Sequence, residues 1–281
     1  VNHLLFVFNL TIFGGLAGAS IFGAQFYGKG DHKGVRYALR FKLIFSVLMA
    51  VIAIVALLFF NNPLISLFLT ESESGGDLVL TLSEAKNYLF VMLIGLIPFS
   101  FSQSYSSTLR ETGETVSPMT ASIIAIVTNF VLNYILIFGS FGAPRLGVVG
   151  AAIATVAAQL ISTLGCFLYA FLKYPELRLH REDWRITRRD VTRHLIQGIP
   201  LGLQFSVLAI GIIVMQSVIV QFDTLGGEMV SNAAQNGFGA ANKLNNLLMT
   251  PLNGLGTAMT SFTAQNLGAG DHARIKKGTV Q

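Results

Sequence analysis

Apolar runs long enough to cross a membrane alternate with short charged connections along the whole chain. The runs fall near residues 4–27, 40–60, 87–108, 118–141, 148–172, 196–221 and 232–265. Crossing the hydrocarbon core of a bilayer takes roughly 20 apolar residues as a helix. No water reaches that depth, so the backbone must satisfy its own hydrogen bonds, and a helix does so within one segment. The pattern therefore predicts seven membrane-spanning helices. The last run, about 34 residues or ~50 Å at 1.5 Å per residue, is expected to project beyond the bilayer or kink at Pro251.

The positions of Lys and Arg orient these spans. One set of connections carries Lys29, Lys33, Arg36, Arg40, Lys42, Arg110, Lys173, Arg178, Arg181, Arg185, Arg188, Arg189, Arg193, Arg274, Lys276 and Lys277. The alternate set carries only Lys86 and Arg145, together with Glu71, Glu73, Asp77, Glu84, Asp223 and Glu228. Basic connections stay in the cytoplasm, so the first set is predicted to be cytoplasmic. Lys243 is read as the one basic residue inside a span, either snorkelling outward or pairing with an acid. The longest cytoplasmic connection, Lys173–Arg193, holds Trp184 and reads as an interfacial helix on anionic headgroups or as a solvated linker.

Composition agrees with this reading. The chain is 52% hydrophobic and 12% charged, about half the charged fraction of a soluble domain, with a mean hydropathy of +0.62. Its pI near 9.4 reflects loop residues placed by topology, so no nucleic-acid partner is expected. Cys166, the single cysteine, lies in an apolar run, which leaves no disulfide framework or zinc site. The five histidines are scattered, no nucleophile–base pair stands out, and no GxxxxGK[ST] phosphate loop occurs. Neither an enzyme nor an ATP-driven pump is expected.

The chain also repeats itself. Residues 14–32 read GGLAGASIFGAQFYGKGDH and residues 254–272 read GLGTAMTSFTAQNLGAGDH. The register pairs Gln25, Gly28, Gly30, Asp31 and His32 with Gln265, Gly268, Gly270, Asp271 and His272, and His3 with Lys243. Each copy ends a helix running inward and opens the next. The glycines permit the left-handed helix terminus, and the aspartate can cap the following helix. A hinge or a pH-sensing contact through His32 and His272 is the functional alternative. An even number of spans separates the copies, so they are parallel repeats of two halves. The predicted organisation is an amino-terminal lobe (1–172), a cytoplasmic connection (173–195) and the opening of a second, pseudo-symmetric lobe (196–281).

The repeated AQ-x-x-G-x-GD signature resembles the multidrug and toxic compound extrusion (MATE) family. So do Pro98 through Arg110 followed by ETGET and Pro118, the run NFVLNYILIFGSFGAPRLGVVGAAIAT (129–155), GIPLGLQ, and AANKLNNLLMTPLNGLG. The resemblance implies an all-α bundle of twelve helices in two six-helix lobes, with this chain a fragment holding helices 2 to 8. It implies a multi-pass protein of the bacterial inner membrane, monomeric, exporting cationic or amphipathic compounds in antiport with H⁺ or Na⁺. No cofactor beyond the coupling ion is expected. The family's first helix often carries a coupling aspartate and lies outside this chain. The glutamate of some branches is also missing from Leu201–Gln221.

With the acids confined to connections and helix ends, the candidate chemistry falls on neutral polar groups. Asn129 and Asn133 share a helix face, and Thr155 reaches a similar depth on the next antiparallel helix. Unpaired amides in hydrocarbon cost several kcal/mol, so these three must face protein, water or an ion. The resemblance marks them as part of an amino-lobe cation site; interhelical hydrogen bonding alone is the other reading. Gln103, Tyr105, Gln204, Gln216, Lys243 and Asn245 are candidates for the substrate cavity, against ordinary interhelical packing. A lipid-linked oligosaccharide flippase of the same superfamily, or a non-transporting sensor or scaffold, are the alternative functions.

Overall fold

The computed structural model describes residues 2–61, 78–184, 188–222, 224–225, 228–229 and 233–280. Its α-helices in chain order are α1 (Asn2–Gly28), α2 (His32–Phe59), α3 (Leu78–Glu111), α4 (Val116–Phe138), α5 (Gly147–Lys173), α6 (Arg188–Phe222), α7 (Ala233–Ala269) and α8 (His272–Val280). Besides three short 3-10 turns, the remaining regular structure described is a two-residue antiparallel ladder, Thr224–Leu225 with Glu228–Met229, between α6 and α7. The protein is an all-α transmembrane bundle.

Each of the seven predicted spans is a helix. α1 (from Phe8), α2, α3 (from Ser83), α4 and α5 are long and apolar enough to cross a membrane. α6 and α7 run to 35 and 37 residues. α7 carries Asn242, Lys243, Asn245, Asn246 and Asn253 among its apolar residues, which lowers its hydropathy. It continues through Pro251 as one helix of ~55 Å, as its length in sequence suggested.

Helix boundaries differ from the apolar windows, with one important consequence. Arg40 and Lys42, counted with a cytoplasmic connection, lie within α2 and are 2% and 0% exposed. Hydropathy marks where the apolar environment begins, but backbone hydrogen bonding carries a helix on past it. Lys243 is therefore not the one basic residue inside a span. The acidic stretch Glu71–Asp77 lies outside the described residues.

Two apolar clusters build the amino-terminal helices into one body. Leu5, Phe8, Ile12 and Leu16 of α1 meet Ala50 and Leu57 of α2, Leu89, Met92, Leu93 and Leu96 of α3, and Ala152 and Val156 of α5. Near the α1–α2 turn, Val35, Leu109, Ala121, Cys166, Ala170 and Leu177 form a second cluster. On α4, Ile123, Ile124, Ile126, Val127 and Phe130 stay exposed, as lipid-facing residues do. α1 packs against α2 and α3 on one side and against α6 and α7 on the other.

The connection after α5 is neither an interfacial helix nor a solvated linker in its described part. Two 3-10 turns, Pro175–Leu177 and Arg181–Trp184, dock on α2. Asp183, 5% exposed, accepts from Arg36 Nε at 2.8 Å and from the His180 amide at 2.8 Å, and its carbonyl accepts from Arg40 Nη1.

Candidate functional site

The polar trio on α4 and α5 comes together as a chain of hydrogen bonds. Asn133 Nδ2 donates to Asn129 Oδ1 at 2.9 Å, and Asn129 Nδ2 reaches Thr155 Oγ1 at 3.4 Å. Thr155 in turn donates to Ala151 O at 2.9 Å. Asn133 Oδ1 is buried and has no partner among the described residues. The close approach of α4 and α5 that allows this depends on Gly150, where a Cβ would lie 2.8 Å from Leu136 O. The arrangement offers neutral oxygens in an apolar bundle and no titratable group.

A charged cluster absent from the candidates read in the sequence lies at the end of the bundle that carries the repeated motif. On α2, Lys42 and Ser46 are one turn apart and face α3, where Ser104, Thr108 and Glu111 follow at helical spacing. Lys42 Nζ donates to Thr108 Oγ1 at 3.0 Å and forms an ion pair with Glu111, while Ser46 and Ser104 hydroxyls meet at 3.1 Å. Lys42 and Glu111 are 0% and 1% exposed. The signal was present in the sequence: a lysine two residues inside the 40–60 run needs a buried partner, and Glu111 closes a face of Ser and Thr.

The repeated motif forms the same helix ending twice. In the first copy Gly30 takes φ 73°, the Gly30 amide donates to Tyr27 O at 2.9 Å and the Asp31 amide to Phe26 O at 2.9 Å. In the second, Gly270 takes φ 76°, with amide bonds from Gly270 to Leu267 O at 3.2 Å and from Asp271 to Asn266 O at 2.9 Å. Each is a Schellman ending, satisfying carbonyls the helix leaves free. Each aspartate then caps the next helix: Asp31 Oδ1 accepts from the Gly34 amide at 3.0 Å, and Asp271 Oδ1 from the Arg274 amide at 2.9 Å.

The two copies also cross each other. A Cβ on Gly28 would fall 1.9 Å from Gln265 O, and one on Gly268 would fall 2.1 Å from Gln25 O. The contacts are reciprocal, so the pseudo-two-fold axis relating the copies passes between α1 and α7 here. Gln265 Nε2 donates to Glu111 O at 2.6 Å, and a Cβ on Gly23 would strike the Glu111 carboxylate at 2.1 Å. The buried ion pair thus lies directly beneath the crossing. Higher on α1, Gly18 meets the backbone of Gly198 and Phe22 packs edge-on against His194 at 5.1 Å.

The remaining candidates do not converge on one point. Tyr105 packs edge-on against Phe167 at 5.3 Å, lining an apolar cavity between α2, α3 and α5. Gln103 is half-buried on α3. Gln204, Lys243 and Asn245 are exposed on α6 and α7, and the side chain of Gln216 lies outside the described residues.

Comparison with known proteins agrees with this architecture. The MatE family model matches residues 1–135 and 194–281. The "Probable multidrug resistance protein NorM" of Thermotoga maritima is 26% identical over 278 residues, 98% of this chain and 56% of that protein. A MATE protein crystallised in the bent conformation has a TM-score of 0.81 at 22% identity, with 98% of this chain and 58% of that one covered. An outward-facing multidrug resistance MATE family transporter gives 0.79 at 25% identity over the same shares. The chain spans a little over half the length of each. Its bacterial relatives support the inner membrane as its location. With the greater part of its residues matched, the chain is an integral membrane protein that belongs to the MatE family.

Proposed function

We propose that the protein built on this chain is an ion-driven exporter of cationic or amphipathic compounds, working by alternating access in antiport with H⁺ or Na⁺. The observation that carries this reading is the reciprocal crossing of the repeat at Gly28 and Gly268. It joins two related halves at their cytoplasmic ends, and the Gly18–Gly198 and Phe22–His194 contacts fall on the same half of α1. Such a seam fits a state closed to the cytoplasm, one of the two that a rocking carrier must visit. Net export requires ion binding to shift that equilibrium, by a coupling of about 1–3 kcal/mol.

The ion has two candidate seats. The oxygens of Asn129, Asn133 and Thr155 suit Na⁺, with Asn133 Oδ1 the unpartnered ligand. Glu111, whose buried carboxylate lies against Gly23 of α1 and whose backbone carbonyl accepts from Gln265, suits H⁺. Of the six residues read as a substrate cavity, Gln103, Gln204, Gln216, Lys243 and Asn245 are proposed for the substrate side, while Tyr105 lines the separate apolar cavity of α2, α3 and α5. A flippase for a polyanionic headgroup would need a basic cavity, yet Lys243 is the one Lys or Arg between Leu195 and Ala269.

The test is dye efflux from vesicles holding the full-length protein, under an imposed pH or Na⁺ gradient. Efflux should follow one gradient; Asn133→Ala should abolish a Na⁺-driven signal and Glu111→Gln an H⁺-driven one. Dye movement indifferent to both gradients would sink the proposal.

A further inference from the structure

Away from the seam, α2, α3 and α5 line an apolar cavity of about 660 Å³, open on one side, on the flank of the amino-terminal helices. Leu43 to Val51 of α2 run along it, a length of ~12 Å. Phe101 and Phe167 line it from α3 and α5, and the docked connection contributes Arg178 and Trp184 at the cytoplasmic end. The volume is that of a small-molecule site. Leu48, Val51 and Phe171 on its walls are exposed, as they would be toward lipid.

The cytoplasmic end is polar in a specific way. Arg178 Nε donates to Phe171 O at 2.9 Å and its guanidinium stacks 4.4 Å above the Phe171 ring. This fixes the side chain at the end of the cavity, while its two terminal nitrogens have no partner among the described residues. Asp183, the acid nearest in sequence to Trp184, is turned away and spent on Arg36 and His180. Glu176 and Glu182 are outnumbered by Lys173, Arg178, Arg181, Arg185, Arg188 and Arg189. Trp184 is half exposed, an amphipathic ring of the kind that settles at headgroup depth.

We propose that this cavity holds an anionic phospholipid of the cytoplasmic leaflet. One acyl chain lies along α2 between Phe101 and Phe167, and the phosphate takes the free edge of the Arg178 guanidinium. A planar guanidinium matches a phosphate with two parallel hydrogen bonds, and the negative leaflet surface supplies the ligand at high local concentration. A cationic drug fits the apolar walls but meets Arg178 as a like charge. Seated there, the lipid bridges α2, α5 and the connection between the halves, and so braces the docking that Asp183 begins.

The experiment uses the full-length protein in detergent, stripped of lipid and then given phosphatidylglycerol, phosphatidylcholine or glycerol phosphate. Bound lipid is read by native mass spectrometry and the melting temperature by intrinsic fluorescence. Phosphatidylglycerol should bind and raise the melting temperature more than phosphatidylcholine does. Arg178→Gln should bind phosphatidylglycerol roughly tenfold more weakly and weaken phosphatidylcholine far less, because the choline cation opposes Arg178 and offsets its hold on the phosphate. Val47→Trp and Leu48→Trp, each filling the cavity, should exclude both lipids; two positions guard against one variant failing to fold. Equal retention of the two lipids by the wild type would overturn the proposal, as would a glycerol phosphate effect as large as that of phosphatidylglycerol. Displacement of bound lipid by a cationic dye would overturn it in favour of a drug site.

Discussion

Lys42 and Glu111 are each the other's reason for being buried. Removing one partner leaves a bare charge in an apolar bundle, which costs about 3–5 kcal/mol, whereas replacing both with apolar side chains of similar size is often neutral. Lys42→Met should therefore lower stability by that amount, and adding Glu111→Met should restore most of it, measured by denaturant unfolding in detergent micelles. Glu114 behaves differently, because it stands in the connection between α3 and α4. Its carboxylate accepts from the Ser117 amide at 3.0 Å and from the Tyr169 hydroxyl at 3.0 Å. The Ser117 amide above all, with help from Tyr169 and Lys173, holds its pKa below the ordinary glutamate range. A depressed folded pKa contributes stability above the unfolded value and loses it as pH falls through the folded one. Melting curves of wild type and Glu114→Gln should accordingly be separated at pH 7 and converge in acid. A gap that persists below the carboxylate range would show that charge is not its source. In the sequence only Lys42 inside an apolar run hinted at a buried pair; Glu111 looked like one more helix-end acid, since linear spacing alone does not separate an end that faces water from one roofed by α1 and α7.

At the scale of elements, the glycines decide how near α1 and α7 can come. A methyl group at Gly28 or Gly268 meets a carbonyl oxygen of the facing backbone, which cannot swing aside as a side chain would. Gly28→Ala or Gly268→Ala should part the helices at this end. The expected reading is faster labelling of a cysteine placed at Lys29 by a water-soluble maleimide, in a Cys166→Ala background, with little change in melting temperature. Labelling no faster than in the parent would mean that the seam closes without these contacts. Gly30→Ala acts locally, straining a left-handed helix terminus at a cost of about 1–2 kcal/mol. Much of this was legible beforehand: the caps, the glycine endings and the repeat could be read from residues 14–32 and 254–272. That the copies touch could not be read, because a repeat in sequence fixes a symmetry relation but not the distance between its members. The ends of α2 and α6 were misplaced for a similar reason, as polar residues in the interface continue a helix that hydropathy alone would close.

For the chain as a whole, a count of basic residues predicts the topology, and the structure gathers the basic ends on one side. Both repeat endings, the docked connection and the Arg110 end of α3 lie together, and the Gly139–Leu146 turn joins the opposite ends of α4 and α5. Cysteines at Arg181 and at Phe141 should therefore be labelled from opposite faces of sealed vesicles; labelling from one face would dissolve both the orientation and the export proposal. The crossing at Gly28 and Gly268 has one more consequence. Position 25 touches 268 while 265 touches 28, which is the bookkeeping of an isologous dimer written into a single polypeptide. A substitution at either glycine therefore presses on the other copy's backbone, and the approach of α1 to α7 rests on both positions together.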